Sequence, residues 1–295
     1  MFFGRCSSRR ARVLSRVVVI AALAAVIPVD GPRAPAALAA PSSEAKAAGF
    51  ASYQVVTGEA VTVGPGKGAQ STAKCPAGTL VLGGGELNTV LLPTGAEVSS
   101  SNPDIYDNDW DTSFTNTSDL LPVTLRTRAI CVSGLAHYEF AFPEPYFIPR
   151  GRTRKSISYS CPNGLLTLAG GTDGTQGLRL LDSFPGGSNE WQSTVYNISL
   201  LSDLHSRPFN VCGSGVTRTL KAGDGVKVPK GGRAHASVDC PAGSKVMSGG
   251  GESFPNGSNM ITDTYPSTDG KTWTVYVKNI IDEDSSMRVR AFCGS

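Results

Sequence analysis

Cys75-Pro76-Ala77-Gly78, Cys161-Pro162-Asn163-Gly164 and Cys240-Pro241-Ala242-Gly243 are one tetrapeptide, Cys-Pro-x-Gly, written three times along the chain. A glycine cluster follows each copy: Gly83-Gly84-Gly85, Ala169-Gly170-Gly171 and Gly249-Gly250-Gly251. Next comes Ser/Thr-x-Pro, at Ser101–Pro103, Ser183–Pro185 and Thr264–Pro266. Each copy then carries one Trp and, six residues on, one Asn: Trp110/Asn116, Trp191/Asn197 and Trp273/Asn279. A second cysteine closes each: Cys131, Cys212 and Cys293. Self-similarity at a steady period is the mark of repeat architecture. The repeats span about 53–135, 136–215 and 216–295.

Each unit opens on a short apolar or alternating stretch before a Pro/Gly turn. These are Val61-Thr62-Val63, Tyr146-Phe147-Ile148 and Val226-Lys227-Val228. Such runs at 8–12-residue spacing are strand signals, and no helical periodicity of useful length follows residue 50. The fold expected is all-β: three homologous disulfide-closed repeats packed with pseudo-threefold symmetry, as in a β-prism. Three tandem small β-sandwiches are the alternative.

Residues 1–40 read as a secretory signal peptide: a basic start with Arg5, Arg9, Arg10, Arg12 and Arg16, the apolar run Val17–Ile27, then small residues through Ala37-Leu38-Ala39. The apolar run falls short of the roughly 20 residues that span a bilayer. Residues 41–52 read as a flexible leader. The whole chain carries 27 basic and 24 acidic side chains. Removing residues 1–40, with six Arg and Asp30, leaves 21 basic against 23 acidic, a net of −2. A nearly neutral product has no overall pull toward nucleic acid or anionic lipid. The mature chain is therefore expected outside the cell, with no membrane span and no nucleic-acid partner.

Without Cys6, six cysteines remain, two in each repeat. The repeat phase pairs them Cys75–Cys131, Cys161–Cys212 and Cys240–Cys293, in keeping with an oxidising compartment. Closing each loop stabilises a unit by about 4 kcal/mol in the chain-entropy account. Zinc ligation fits poorly, since there is no Cys-x-x-Cys and His137, His205 and His235 occupy no equivalent positions.

Period-two alternation puts each Trp on one strand face with the residue four positions on (Phe114, Val195 or Val277), which reads as core. The shared Asn reads as an Asx-type turn at the strand end. Glycine in a strand signals close backbone approach, here between neighbouring copies. Function is then expected in the divergent loops between the glycine cluster and the Trp. Copy one places Asp104, Asp107, Asp109 and Asp111 there with Tyr106, a grouping of carboxylates that could take Ca²⁺ or form a solvated acidic turn. Phe184 and Tyr265 precede the loop Pro in copies two and three, where an exposed ring could stack on sugar. Arg150, Arg152, Arg154 and Lys155 form a basic patch of the kind that protects an edge strand. No Gly-x-Ser-x-Gly or His-Glu-x-x-His occurs, so catalytic residues are not assigned.

The run from Cys-Pro-Ala-Gly through Gly-Gly-Gly, Ser-x-Pro, Trp and a late Cys resembles repeats of secreted bacterial proteins of unassigned function, over residues 53–295. Val226-Lys227-Val228-Pro229-Lys230-Gly231-Gly232, with Cys240-Pro241-Ala242-Gly243 after it, also resembles the egg vitelline-membrane outer-layer proteins. That likeness implies a three-sheet β-prism and an association with carbohydrate. The Cys–Cys interval here is longer than in that group. The function expected is a secreted, non-enzymatic binding module for glycan or cell-envelope polymer. The alternative is a disulfide-stabilised scaffold for an extracellular protein partner, and a hydrolase ranks behind both.

Overall fold

A computed structural model describes residues 49–88, 95–187 and 189–295. Repeat 1 forms β1 (Ser52–Thr57), β2 (Val61–Val63), β3 (Gly68–Lys74), β4 (Leu80–Asn88), β5 (Ala96–Asp104), β6 (Asp109–Asn116) and β7 (Val123–Ser133). Repeat 2 forms β8 (His137–Ala141), β9 (Tyr146–Ile148), β10 (Thr153–Ser160), β11 (Leu166–Gly174), β12 (Leu178–Pro185), β13 (Glu190–Asn197) and β14 (Leu204–Ser214). Repeat 3 forms β15 (Arg218–Ala222), β16 (Val226–Val228), β17 (Arg233–Asp239), β18 (Lys245–Phe254), β19 (Asn259–Pro266), β20 (Thr272–Asn279) and β21 (Ser285–Gly294). Among the described residues there is no helix, and none long and apolar enough to cross a membrane.

The repeated tetrapeptide is a turn. Thr79, Leu165 and Ser244 N–H groups donate to the carbonyls of Pro76, Pro162 and Pro241 at 3.0–3.1 Å. Gly78, Gly164 and Gly243 sit at φ of 81°, 72° and 82°, the left-handed region that glycine enters without steric cost. In copy two the preceding residue is also left-handed, at φ 54°, and it is Asn163 where the other copies have Ala. Asn tolerates that conformation better than Ala does.

Each repeat divides its seven strands between two sheets, and each sheet joins two repeats. One sheet runs β1-β7-β4-β19-β20-β17, with β2 also on β7. The second runs β3-β6-β5-β11-β14-β8, with β9 on β14. The third runs β10-β13-β12-β18-β21-β15, with β16 on β21. The seams between repeats are Glu86 opposite Thr264, Ser101 opposite Thr172, and Ser183 opposite Gly251. β5, β12 and β19 each touch the other two and so enclose the pseudo-threefold axis. Within one repeat the strands still form a small two-layered sandwich, clamped by Cys75–Cys131, Cys161–Cys212 or Cys240–Cys293. The tandem-sandwich alternative describes the layering but not the seams, because every sheet is completed by a neighbouring repeat.

The glycine clusters make the seams possible. A Cβ on Gly85, Gly171 or Gly250 would overlap the backbone carbonyl of Thr264, Ser101 or Ser183 in the adjoining repeat. A Cβ on Gly84, Gly170 or Gly249 would overlap the indole of its own repeat's Trp. A bulge falls between Val81 and Gly83, Thr167 and Ala169, and Val246 and Ser248. The third cluster is therefore Ser248-Gly249-Gly250 in register, and Gly251 stands where the other copies have Glu86 and Thr172.

The expectation of a leader through residue 52 is corrected at its end. Ser52 opens β1, Ala51 N–H donates to Ser133 O at 2.8 Å, and Phe50 packs against the core beside Tyr53. Chain order continues into the sheet because β7 offers its edge there. The expected signal peptide, residues 1–40, and residues 41–48 lie outside the described residues.

Candidate functional site at the first-repeat hairpin

The features shared by all three copies are used up by the scaffold. Trp110, Trp191 and Trp273 are buried, and their Nε1–H groups donate to Ser101, Ser183 and Thr264 hydroxyls at 3.0, 3.0 and 2.8 Å. The Ser/Thr of Ser/Thr-x-Pro is thus the polar partner that a buried indole requires. Asn116, Asn197 and Asn279 accept from the N–H two residues on, at 2.9 Å each. Their amides donate to the Val63, Ile148 and Val228 carbonyls at 3.1 Å, tying each strand end to the unit's first short strand.

The segment expected as divergent loop is mostly strand. β5, β12 and β19 are largely buried around the axis. Phe184 is only 5% exposed and lies under Arg290, whose guanidinium is 5.3 Å from its ring. Phe184 is therefore closed to a sugar ring: it lies at the seam, its backbone against Gly250 of the adjoining repeat. Tyr265 is half-buried beneath Arg128 at 5.3 Å, and its ring stacks with Tyr276, which in turn stacks on His235. Burial, then the neighbouring Tyr276, pushes its hydroxyl up to about 12. Its ring is engaged within a ladder crossing the sheet.

Tyr106 differs from both. It is 88% exposed, in the turn between β5 and β6. Asp104 Oδ1 accepts the Tyr106 N–H at 2.7 Å, and Asn108 takes φ 55° to reverse the chain. Asn108 is itself anchored: its side chain accepts from Val81 N–H and donates to Thr79 O, both at 2.8 Å. Asn189 repeats this in copy two with Thr167 and Leu165. Three of the four acidic candidates converge beside Tyr106. Asp104, Asp109 and Asp111 each bring a carboxylate oxygen within 4.8 Å of the others. Asp107 points to the rim, 3.8 Å from Lys74. Asp109 lies just beneath the surface at 7% exposure, and its buried Oδ1 has no hydrogen-bond partner in the protein. Burial first, then Asp111, Asp104 and Asp107, raises its pKa to about 6.

Other features escaped the sequence reading. Leu120 and Leu201 stand 85% and 83% exposed in the loops after β6 and β13, beside exposed Leu121 and Leu200. Glu86 is fully buried, and neither carboxylate oxygen meets a hydrogen-bond partner. Burial first, and then the charge of Asp263, hold its pKa well above the usual range. The basic patch spans the turn before β10 (Arg150, Arg152) and the start of that edge strand (Arg154, Lys155), with Arg150 N–H bound to Asp203 and Arg154 over Tyr196. No known protein family matches the chain, and no curated protein matches it.

Proposed function

We propose that the chain is a secreted, non-enzymatic binding module for glycan or cell-envelope polymer, and that it engages its ligand with the β5–β6 hairpin. The observation that carries this reading is the solvent-facing ring of Tyr106, standing beside three carboxylates on a hairpin whose base is pinned to the core. Tyr supplies a large rigid apolar face at small entropic cost, and carboxylates accept from sugar hydroxyls. The corresponding turns, at Gly186-Gly187 and at Ser267–Lys271, carry no aromatic residue. Export is supported by the amino-terminal pattern of residues 1–40 and by three disulfides.

Retention on a panel of immobilised envelope polysaccharides tests this. Wild type is expected to be retained, and Tyr106→Ala is expected to lose at least about tenfold in affinity, as for an aromatic anchor, with its melting temperature unchanged. Failure of wild type to bind any polymer, or equal binding by the variant, refutes it. A second reading, an extracellular protein partner, is favoured by the exposed leucines at Leu120, Leu121, Leu200 and Leu201. Affinity capture with a Leu200→Ser/Leu201→Ser variant as control would return one stoichiometric protein only under that reading.

A further inference from the structure

We infer that the β5–β6 hairpin binds a divalent cation of the Ca²⁺ class between Asp104, Asp109 and Asp111. In copy two, Glu190 and Gln192 flank Trp191 as Asp109 and Asp111 flank Trp110. There Gln192 Nε2 donates to Glu190 Oε1 at 2.6 Å, and the Ser158 hydroxyl donates to the other Glu190 oxygen. In copy three the pair is Thr272 and Thr274, which bond to Asp239 and Ser237. Copy one alone puts two acceptors side by side with no donor between them.

Further negative charge surrounds that pair. Asp104 lies directly across the hairpin from Asp109, and Asp173 on β11 adds its field to that of Asp111. Lys74 reaches Asp107 at the rim and is two-thirds exposed, so it does not fill the gap. The orphaned Asp109 Oδ1 is the decisive group, because a buried acceptor without a partner bears an uncompensated desolvation cost. A cation removes that cost and the mutual repulsion together.

The donor set selects the ion. All candidate atoms are carboxylate oxygens, which suit hard cations rather than Zn²⁺ or Cu²⁺. Ca²⁺–O distances of about 2.3–2.6 Å put two ligands of one ion up to about 5 Å apart, and the three oxygens lie within 4.8 Å. Asp104 Oδ1 is occupied by Tyr106 N–H, and Asp111 Oδ1 by the Thr72 hydroxyl. Each keeps its second oxygen for the ion, and water completes the shell. Few protein ligands and a solvent-facing side place the affinity in the range of about 10⁻⁴–10⁻³ M typical of extracellular modules.

This inference deepens the reading of the hairpin as a binding site, since the ion would fix the turn that carries Tyr106, but it stands without any glycan. The experiment uses the full exported protein, stripped with EDTA and titrated with CaCl₂, read by calorimetry and by melting temperature. Saturable binding of about one Ca²⁺, with a rise in melting temperature and a weaker response to MgCl₂, is expected. Asp111→Gln copies the donor of copy two and should fold, with binding at least tenfold weaker. Asp109→Asn should behave likewise, and Asp269→Asn in the copy-three turn should bind as wild type. Absence of binding by wild type overturns the inference, as does undiminished binding by both hairpin variants. Because polysaccharide is absent from this assay, its outcome is separate from that of the retention test.

Discussion

Repeats 1 and 3 share one scaffold but differ in the layer just behind the Trp. In repeat 1 that layer is Ser71, Thr112, Ser101, Glu86 and Thr127, all buried and all polar. The same places in repeat 3 hold Ala236, Val275, Thr264, Gly251 and Val289. There Val275 occupies the space that Gly251 leaves, a Cβ on that glycine falling 2.9 Å from a Val275 methyl. Repeat 2 is intermediate, with a buried Thr172–Ser193 hydroxyl bond of 2.6 Å where repeat 1 has Glu86 and Thr112. Ser71 bonds both the N–H and the hydroxyl of Thr127, yet the Thr112 hydroxyl and the Glu86 carboxyl have no partner. Copies of one module can therefore keep identical framework residues while diverging in how well the interior satisfies its own polar groups. The divergence concentrates in the repeat that also carries the acidic hairpin.

The largest effect expected is on the bridges. Cys75→Ala/Cys131→Ala and Cys240→Ala/Cys293→Ala remove closures of 56 and 53 residues, worth about 4 kcal/mol each in the chain-entropy account. If the interior of repeat 1 is the weaker, its bridge variant shows the lower urea midpoint of the two. Equal midpoints would remove the proposed asymmetry.

Next in size is Gly85→Ala, which forces a Cβ onto the Thr264 carbonyl at the seam and should cost about 3 kcal/mol, as for severe overpacking. Gly66→Ala is the control, since its Cβ meets nothing within 4 Å. Its φ of 66° limits the loss to the modest strain of a left-handed alanine, about 1–2 kcal/mol. A thermal melt comparing the two separates close approach from backbone strain.

Replacing the polar layer sharpens the comparison further. Glu86→Thr/Thr112→Ser reproduces the bonded pair of repeat 2 and should stabilise the protein at pH 7 by about 1–3 kcal/mol, the usual cost of an unmet buried polar group. Titration should show the same effect. Burial raises the folded pKa of Glu86, of Asp182 to about 6 and of Asp263 to about 7. A group raised on folding contributes fully below its unfolded pKa, near 4 for a carboxyl, and loses that contribution as pH climbs through the folded value. The urea midpoint should therefore fall from pH 5 to pH 8, and less steeply in the Glu86 variant. A midpoint that rises over this window contradicts the assignment. The smallest stability effect is that of Tyr106→Ala, within about 0.5 kcal/mol as for an exposed site, which makes it a clean probe of binding.

Much of this framework is legible in the amino-acid order because it is local. The Cys-Pro-x-Gly turn, the buried Trp face and the Asx turn after each Asn all follow from period-two alternation and from residues that bond their near neighbours. Repetition then supplies the cysteine phase, which no single copy could. The seams are not legible in the same way. Glu86 meets Thr264 across 178 positions through backbone groups, and backbone groups carry no side-chain signature. The glycines announce a close approach but not its partner. The third copy has Ser248 where the first has Gly83, so its glycine triplet begins one position late, and nothing local marks Phe184 as buried where Tyr265 is only half-buried. An orphaned carboxyl such as that of Glu86 or Asp109 is invisible until its surroundings are known, because the same residue on an exposed strand face would need no partner.

The meeting of chain segments near the axis has a consequence for connectivity. Ala51 bonds to Ser133, Ala136 to Ser214 and Thr217 to Ser295, so the start and finish of every unit adjoin. Gly49 in turn lies against the Ser295 carbonyl. The backbone thus traces an almost closed loop whose three junctions are interchangeable in space. A circular permutant of residues 49–295 opened at Gly134 or Gly215, with Ser295 spliced to Gly49, would keep every sheet and every bridge.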